Sequence, residues 1–161
     1  MGSDEQRFIA IRAVGLFREL SDGDINALGA ISRRSQLGAG ELLIREGATG
    51  DSMFIVSEGR VVITKGSHHG PDETIVAIGP GHYVGLNALV ESASRSANVV
   101  AGDAGAVVYE LRFDDLEVVL AQDERLAAAF WRAAAKGLSR QLRRATTDAV
   151  VLRALIRAQQ N

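Results

Sequence analysis

Hydrophobic and polar positions change rhythm twice along this chain of 161 residues. Over Asp4 to Ser35, the residues Phe8, Ile11, Ala13, Val14, Leu16 and Phe17 recur at helical spacing before a polar break at Ser21-Asp22-Gly23. Apolar residues three to four apart share one helix face, so this segment reads as helical. Ser21 offers an N-cap hydroxyl with Asp24 three residues on, and Ile25, Leu28 and Ile31 then form an apolar stripe. Two short helices joined by a polar corner are expected.

From Leu37 to Leu111 the texture is different. Glycine recurs at 38, 40, 47, 50, 59, 66, 70, 79, 81, 85, 102 and 105. Between the glycines lie Leu42–Ile44, Met53–Val56, Val61–Ile63, Thr74–Ile78, Asn98–Val100 and Ala106–Tyr109, all rich in branched residues. Short runs of this kind between turn residues predict an antiparallel barrel or sandwich. Ser67-His68-His69-Gly70-Pro71 reads as an exposed hairpin loop and Pro80-Gly81 as a turn. Adjacent histidines on a strand point opposite ways, which disfavours a shared metal.

The helical rhythm returns at Phe113. Asp114 and Asp115 fall in a first turn, where carboxylates complement the helix dipole, and Leu116, Val119 and Leu120 form the apolar face. Asp123 opens a longer helix with Leu126, Phe130, Ala133, Ala134, Gly137, Leu138, Gln141 and Leu142 on or near one side. Thr146-Thr147-Asp148 reads as a break or cap before Val150, Val151, Leu152, Leu155 and Ile156. The expected class is α+β but mainly β, with helices over 4–35, β structure over 37–111 and helices over 113–145. Residues 1–145 form one domain in this reading, and 146–161 a basic helical extension.

Composition narrows the function classes. At 47% hydrophobic the chain has enough apolar surface for a real core. Its mean hydropathy of +0.06 and lack of an apolar run near ~18 residues predict no membrane span. No leader peptide pattern opens the sequence. Cysteine is absent, which excludes disulfides and thiolate metal sites and fits a reducing, cytoplasmic setting. Residues 1–131 carry 11 basic and 19 acidic side chains, a balance of −8, whereas 132–161 carry seven basic residues against Asp148 alone, a balance of +6. A basic helical tail fits a solvated face best, with nucleic acid, a membrane surface or an acidic partner as the competing uses. Gly137-Leu138-Ser139 resembles the turn of a helix-turn-helix, yet the chain leaves no room for a separate supporting helix, so nucleic acid is not the expected partner. No Ser/His/Asp arrangement, metal cluster or triphosphate loop is present to support catalysis.

An ordered set of residues carries a resemblance. Leu16-Phe17, Gly40-Glu41, Glu46-Gly47-x-x-Gly50-Asp51-x-Met53-Phe54-Ile55-Val56-x-x-Gly59, Gly79-Pro80-Gly81-x-Tyr83-x-Gly85 and Arg95-Ser96-Ala97 follow one another over about residues 14–145. The set resembles the cyclic nucleotide-binding domain. The resemblance implies an antiparallel β-roll, a jelly-roll-like barrel flanked by N-terminal helices and a long C-terminal helix that closes over the ligand. It further implies a phosphate-binding cassette made by Val84, Gly85, Leu86, Asn87, Ala88, Leu89, Arg95, Ser96 and Ala97, with cAMP or cGMP as ligand and no other cofactor. The chemistry agrees: Arg95 is the only lysine or arginine between Lys65 and Arg112, and a guanidinium grips phosphate oxygens bidentately. A backbone glycine at 85 allows close approach, and the following helical turn aims N–H groups at an anion.

The cassette departs from the family's pattern at two places. Where the family usually has a glutamate for the ribose 2′-OH, Leu86 stands, and Ser94 replaces the proline before the arginine. Losing a hydrogen bond to a charged group costs on the order of 1.5–3 kcal/mol. The expected function is therefore a regulatory cyclic nucleotide switch. A ligand-free β-roll interaction module and a short DNA-binding regulator are the alternatives. The stripe of Leu126, Phe130, Leu138 and Leu142 is expected to pair with a second subunit, giving a homodimer, or with an effector domain or partner protein.

Overall fold

The structure, a computed structural model, describes residues 2–66, 73–91 and 93–159. Helix α1 (Ser3–Arg12) is followed by a single tight helical turn (Gly15–Phe17) and helix α2 (Asp22–Ile31). The β region contains β1 (Arg33–Leu37), β2 (Leu42–Ile44), β3 (Ser52–Lys65), β4 (Glu73–Ile78), β5 (Tyr83–Val84) and β6 (Asn98–Arg112), with the short helix α3 (Leu86–Glu91) between the last two. Helices α4 (Phe113–Gln122) and α5 (Glu124–Gln159) follow. The strands form one antiparallel sheet in the order β1-β6-β3-β4, with β2 also paired to β6 and β5 to β3.

Two long strands organise the roll. The apolar runs at Met53–Val56 and Val61–Ile63 merge into β3, and those at Asn98–Val100 and Ala106–Tyr109 merge into β6. The glycines between them are bends inside strands and not turns. Gly59 has φ +69° beside Gly105 at φ +73°, and the β3–β6 register shifts on either side of Glu58-Gly59. A Cβ on Gly59 would lie 2.2 Å from the Gly105 carbonyl oxygen. Such a bulge bends both strands together, which lets one long pair curl into a roll.

Side-chain alternation along these strands makes two cores. Phe54, Val56 and Val108 point into the roll with Leu37, Ile44, Val61, Val84, Val99, Ala101 and Ala106. Met53, Ile55, Tyr109 and Leu111 point the other way, against the helical layer of Ile11, Phe17, Ile25, Leu28, Leu116, Leu126 and Phe130. The helix ends are fixed by their own side chains. Ser21 and Asp24 form a reciprocal capping box at α2, and Asp123 Oδ1 accepts the Leu126 N–H at 2.9 Å to start α5. Asp24 is buried and also accepts both Nη1 (3.1 Å) and Nη2 (2.5 Å) of Arg125, so the two helix starts are joined. Arg125 is the main cause that holds the Asp24 carboxyl down to about 2.

Four expectations change. The N-terminal helical segment ends at Ile31 and not at Ser35, because Arg33–Leu37 is the polar strand β1 paired with β6. Helix α5 runs unbroken through Thr146-Thr147-Asp148; the two threonine hydroxyls donate back to the Leu142 and Arg143 carbonyls at 3.0 Å and need no break. Gly137-Leu138-Ser139 likewise lies inside α5 and forms no turn. Leu126 and Phe130, expected on a pairing stripe, are buried against the body, with the Phe130 ring 6.0 Å from that of Phe17, and Leu138 of the same stripe is half-buried against it, which leaves Leu142 alone exposed. The hairpin loop over 67–71, with His68 and His69, lies outside the described residues. Among the described residues no helix is long and apolar enough to cross a membrane.

Candidate functional site

The site begins where β5 ends. Gly85 takes φ +89°, a conformation that side-chain-bearing residues rarely adopt, and a Cβ there would meet Arg95 Nη1 at 2.6 Å and the Ser52 carbonyl at 2.9 Å. Gly50 is equally confined: its Cβ would fall 2.3 Å from that of Ala88 and 3.1 Å from Arg95 Nε. Two glycines thus make room for one guanidinium.

Arg95 itself is 8% exposed. Its Nη2 donates to the Ser52 carbonyl at 2.6 Å, with Ser52 Oγ at 3.5 Å, and its Nη1 donates to the Gly85 carbonyl at 3.2 Å. Its main chain is pinned as firmly, the Arg95 N–H donating to Ala48 and the Arg95 carbonyl accepting from Gly47. Burial pulls the guanidinium below the ordinary arginine range, opposed by the nearby carboxylates of Asp51 and Glu110. An arginine so placed is still a cation. It forms a fixed positive point beneath the turn from β5 into α3.

The neighbouring cassette residues divide by side. Gly85 and Arg95 are in direct contact. Val84 points into the roll core, whereas Leu86, 1% exposed, is packed in the helix-side core with Ala88, and Leu89 lies half-buried against it. The Leu86 side chain is therefore turned to the helical layer and away from the roll interior. Asn87 and Ser96 are exposed and Ala97 is half-buried. Asn98 Oδ1 accepts the Glu46 N–H at 2.8 Å, which ties β6 to the loop after β2.

Sequence reasoning missed Lys65. Its Nζ donates to the Ser96 carbonyl at 2.6 Å and pairs with Glu46 Oε1 at 2.5 Å, while Glu46 Oε2 accepts the Gly66 N–H. A residue 31 positions away from the cassette arginine's neighbour carries no local signal of this contact. Pairing of β3 with β6 alone brings it there.

Two surfaces meet at β5, the strand that leads into Gly85: Val84 packs with the roll interior and Tyr83 against α5. Cross-strand partners share a face, so Val61, Ile63, Val76, Ile78, Val99 and Ala101 line the inner wall of the roll. Val61, Val99 and Ala101 are buried, Ile63 and Ile78 half-buried, and Val76 exposed, so the wall is apolar and open towards β4. On the other side Tyr83, two residues before Gly85, meets α5. A Cβ on Gly137 would stand 2.7 Å from Tyr83 Oη and 2.7 Å from Leu16 Cδ1, and Gln141 Nε2 lies 3.5 Å from that phenol oxygen. Burial raises the Tyr83 pKa above its ordinary value. Lys136 also holds α5 to the body, with both Glu19 oxygens at 2.7 Å.

The sequence model of the cyclic nucleotide-binding domain matches residues 34–123, a stretch that takes in β1 to β6, the Gly85–Arg95 contact and α4. The chain belongs to this family. Over 109 residues, 66% of its length, it is 31% identical to cGMP-dependent protein kinase isozyme 1 of Drosophila melanogaster, of which the match spans 14%. The regulatory domain of Toxoplasma gondii PKA, solved with cAMP, superposes with a TM-score of 0.66 at 29% identity, covering 73% of this chain and 44% of that one. A cyclic nucleotide-binding domain from Methylobacillus flagellatus gives a TM-score of 0.79 over 91% of this chain and 82% of that one; at 21% identity it shows the shared fold. This family consists of regulatory binding domains, and the expected β-roll with a long C-terminal helix is the fold observed.

Proposed function

We propose that this chain is a regulatory switch whose ligand is a cyclic nucleotide, cAMP or cGMP, seated between Arg95 and the inner wall of the roll. The observation that carries this reading is the buried cation at Arg95 beneath a glycine turn, in a chain that belongs to the family. Nη1 and Nη2 are anchored on carbonyls, and Nε makes no hydrogen bond within the described structure. That leaves part of the fork, with the N–H groups from Gly85 to Ala88, to hold the phosphodiester. Val76, Ile63 and Ile78 would receive the base.

The switch follows from geometry on the other side. A phosphate drawing on Gly85 acts on β5, and Tyr83 on β5 touches α5 at Gly137 and Gln141. A ligand that favours one seating of Tyr83 shifts the position of α5 by its differential affinity for the two states.

Titration calorimetry with cAMP and cGMP tests the proposal. Saturable binding weakened at least about tenfold by Arg95→Lys, in a variant that keeps its fold by circular dichroism, is expected, because lysine cannot make the forked contact. With Leu86 turned into the helix-side core, the 2′-deoxy analogue should bind within about threefold of the parent nucleotide. Absence of heat at millimolar nucleotide would support the alternative, a ligand-free interaction module, which the engagement of Arg95 by two backbone carbonyls favours.

A further inference from the structure

Asp4, Arg7 and Phe8 share one face of α1, and Ile25, Asn26, Gly29 and Ala30 share one face of α2, because steps of three and four residues return to the same side of a helix. Between these two faces lies a cleft of about 310 Å³. That is the lower end of the range small-molecule sites occupy, about 300–1,000 Å³. None of its lining residues belongs to the cassette, to the roll wall or to α5.

Within the cleft, the stem of Arg7 lies across a residue without a side chain. Gly29 is buried, and a Cβ there would stand 3.5 Å from Arg7 Cδ and 3.8 Å from Arg7 Cγ. This close seating encloses Arg7 Nε, the one buried side-chain nitrogen or oxygen that has no hydrogen-bond partner among the described residues. Folded proteins leave few donors in this state, because an N–H taken from water without an acceptor loses its hydrogen bond outright. Elsewhere on the guanidinium, Nη1 donates to Asp4 Oδ1 at 3.2 Å, and the Asp4 side chain is 90% exposed.

The groups around that donor define what would satisfy it. Nε and Nη2 form one edge of the guanidinium, two parallel N–H groups that match the two oxygens of a carboxylate. Asp4 already stands on the same guanidinium, so a second negative charge on a ligand would be repelled. A monoanion therefore suits the cleft better than phosphate or a dicarboxylate. Phe8, Ile25 and Ala30 supply carbon surface for an apolar body.

We propose that the cleft between α1 and α2 binds a small apolar monocarboxylate, an aliphatic or arylalkyl acid. The Nε–Nη2 edge of Arg7 holds its carboxylate, and its hydrocarbon lies against Phe8 and Ile25. Arg7 is tethered by one exposed partner, so its side chain turns this edge to the cleft as the acid enters. The proposal goes beyond nucleotide binding and does not depend on it.

The test titrates the full chain by calorimetry, without nucleotide, with sodium 4-methylpentanoate and sodium 3-phenylpropionate. Saturable binding is expected, and 4-methylpentanamide, which carries no charge, should bind at least about tenfold more weakly than its acid. Arg7→Lys keeps the charge without the fork and should weaken binding at least about tenfold. Ala30→Leu, at an exposed lining position, should weaken it as well by filling the cleft while leaving Arg7 in place. Arg95→Lys should leave affinity within about twofold, which separates this site from the cassette. In a nitrogen-15 spectrum, the side-chain N–H resonance that vanishes in Arg7→Lys should shift when the parent chain is saturated with acid. Lack of saturation up to about 20 mM acid would overturn the proposal. So would an Arg7→Lys variant that binds like the parent, or binding that Arg95→Lys removes and Arg7→Lys keeps.

Discussion

Gly137 is where the long helix rests on the strand that enters the cassette, and alanine there sets two opposed effects against each other. In a helix interior, glycine to alanine stabilises by about 1 kcal/mol, because the backbone loses less freedom on folding. Against this, the added Cβ would stand 2.7 Å from both Tyr83 Oη and Leu16 Cδ1, where ordinary contacts begin near 3.4 Å. Both neighbours must retreat by roughly 0.7 Å, and Leu16 is itself buried. Overpacking of this kind costs about 1–3 kcal/mol. The collision outweighs the propensity gain, for a net loss of about 1 kcal/mol and a fall in Tm of about 2–4 °C. Urea unfolding of Gly137→Ala, of Tyr83→Phe and of the double variant reads the effect directly. Removing the phenol oxygen removes one of the two collisions, so alanine at 137 should cost less in the Tyr83→Phe background by about 0.5–1 kcal/mol. If Gly137→Ala instead stabilises by the full propensity gain, equally in both backgrounds, the close seating of α5 on Tyr83 is wrong.

Three further outcomes follow from the same structure. Asp24→Asn removes a charge held by Arg125 and the Ser21 cap, and should cost roughly 1.5–3 kcal/mol at neutral pH; because the folded carboxyl sits at about 2 against an ordinary 3.8, the gap from the parent should be complete above about pH 4 and close as pH falls towards 2. A gap that persists unchanged at pH 2 contradicts the assignment. Gly59→Ala combines a left-handed backbone with a collision 2.2 Å from the Gly105 carbonyl and should lose at least about 2 kcal/mol in urea; Gly15→Ala, with nothing within 4 Å, should stay within about 0.5 kcal/mol. Leu86→Ala should lose about 2–5 kcal/mol as a core deletion, while the exposed Asn87→Ala is near neutral, and a reversed order would place Leu86 on the ligand side after all.

Much of this protein is legible in one dimension because its signals are local. Helix faces at Ile25 and Leu28, the Ser21–Asp24 box, the acidic first turn of α4 and the branched runs of the roll all act within a few residues, and each formed as read. The order of glycines and Arg95 marked the family because close approach to a guanidinium tolerates no side chain at 50 or 85. Only the tertiary structure decided what depends on partners distant in the chain. Arg33–Leu37 has no strand-like apolar alternation and becomes β1 by pairing with β6. Gly59 and Gly105 become a facing pair of bends because β3 and β6 are neighbours, and the same pairing carries Lys65 to Ser96. The side on which Leu86 is buried, and the division of α5 into a seated half and a projecting half, were settled by packing. A residue's type fixes what it can bond to, whereas the fold alone fixes which groups come within reach.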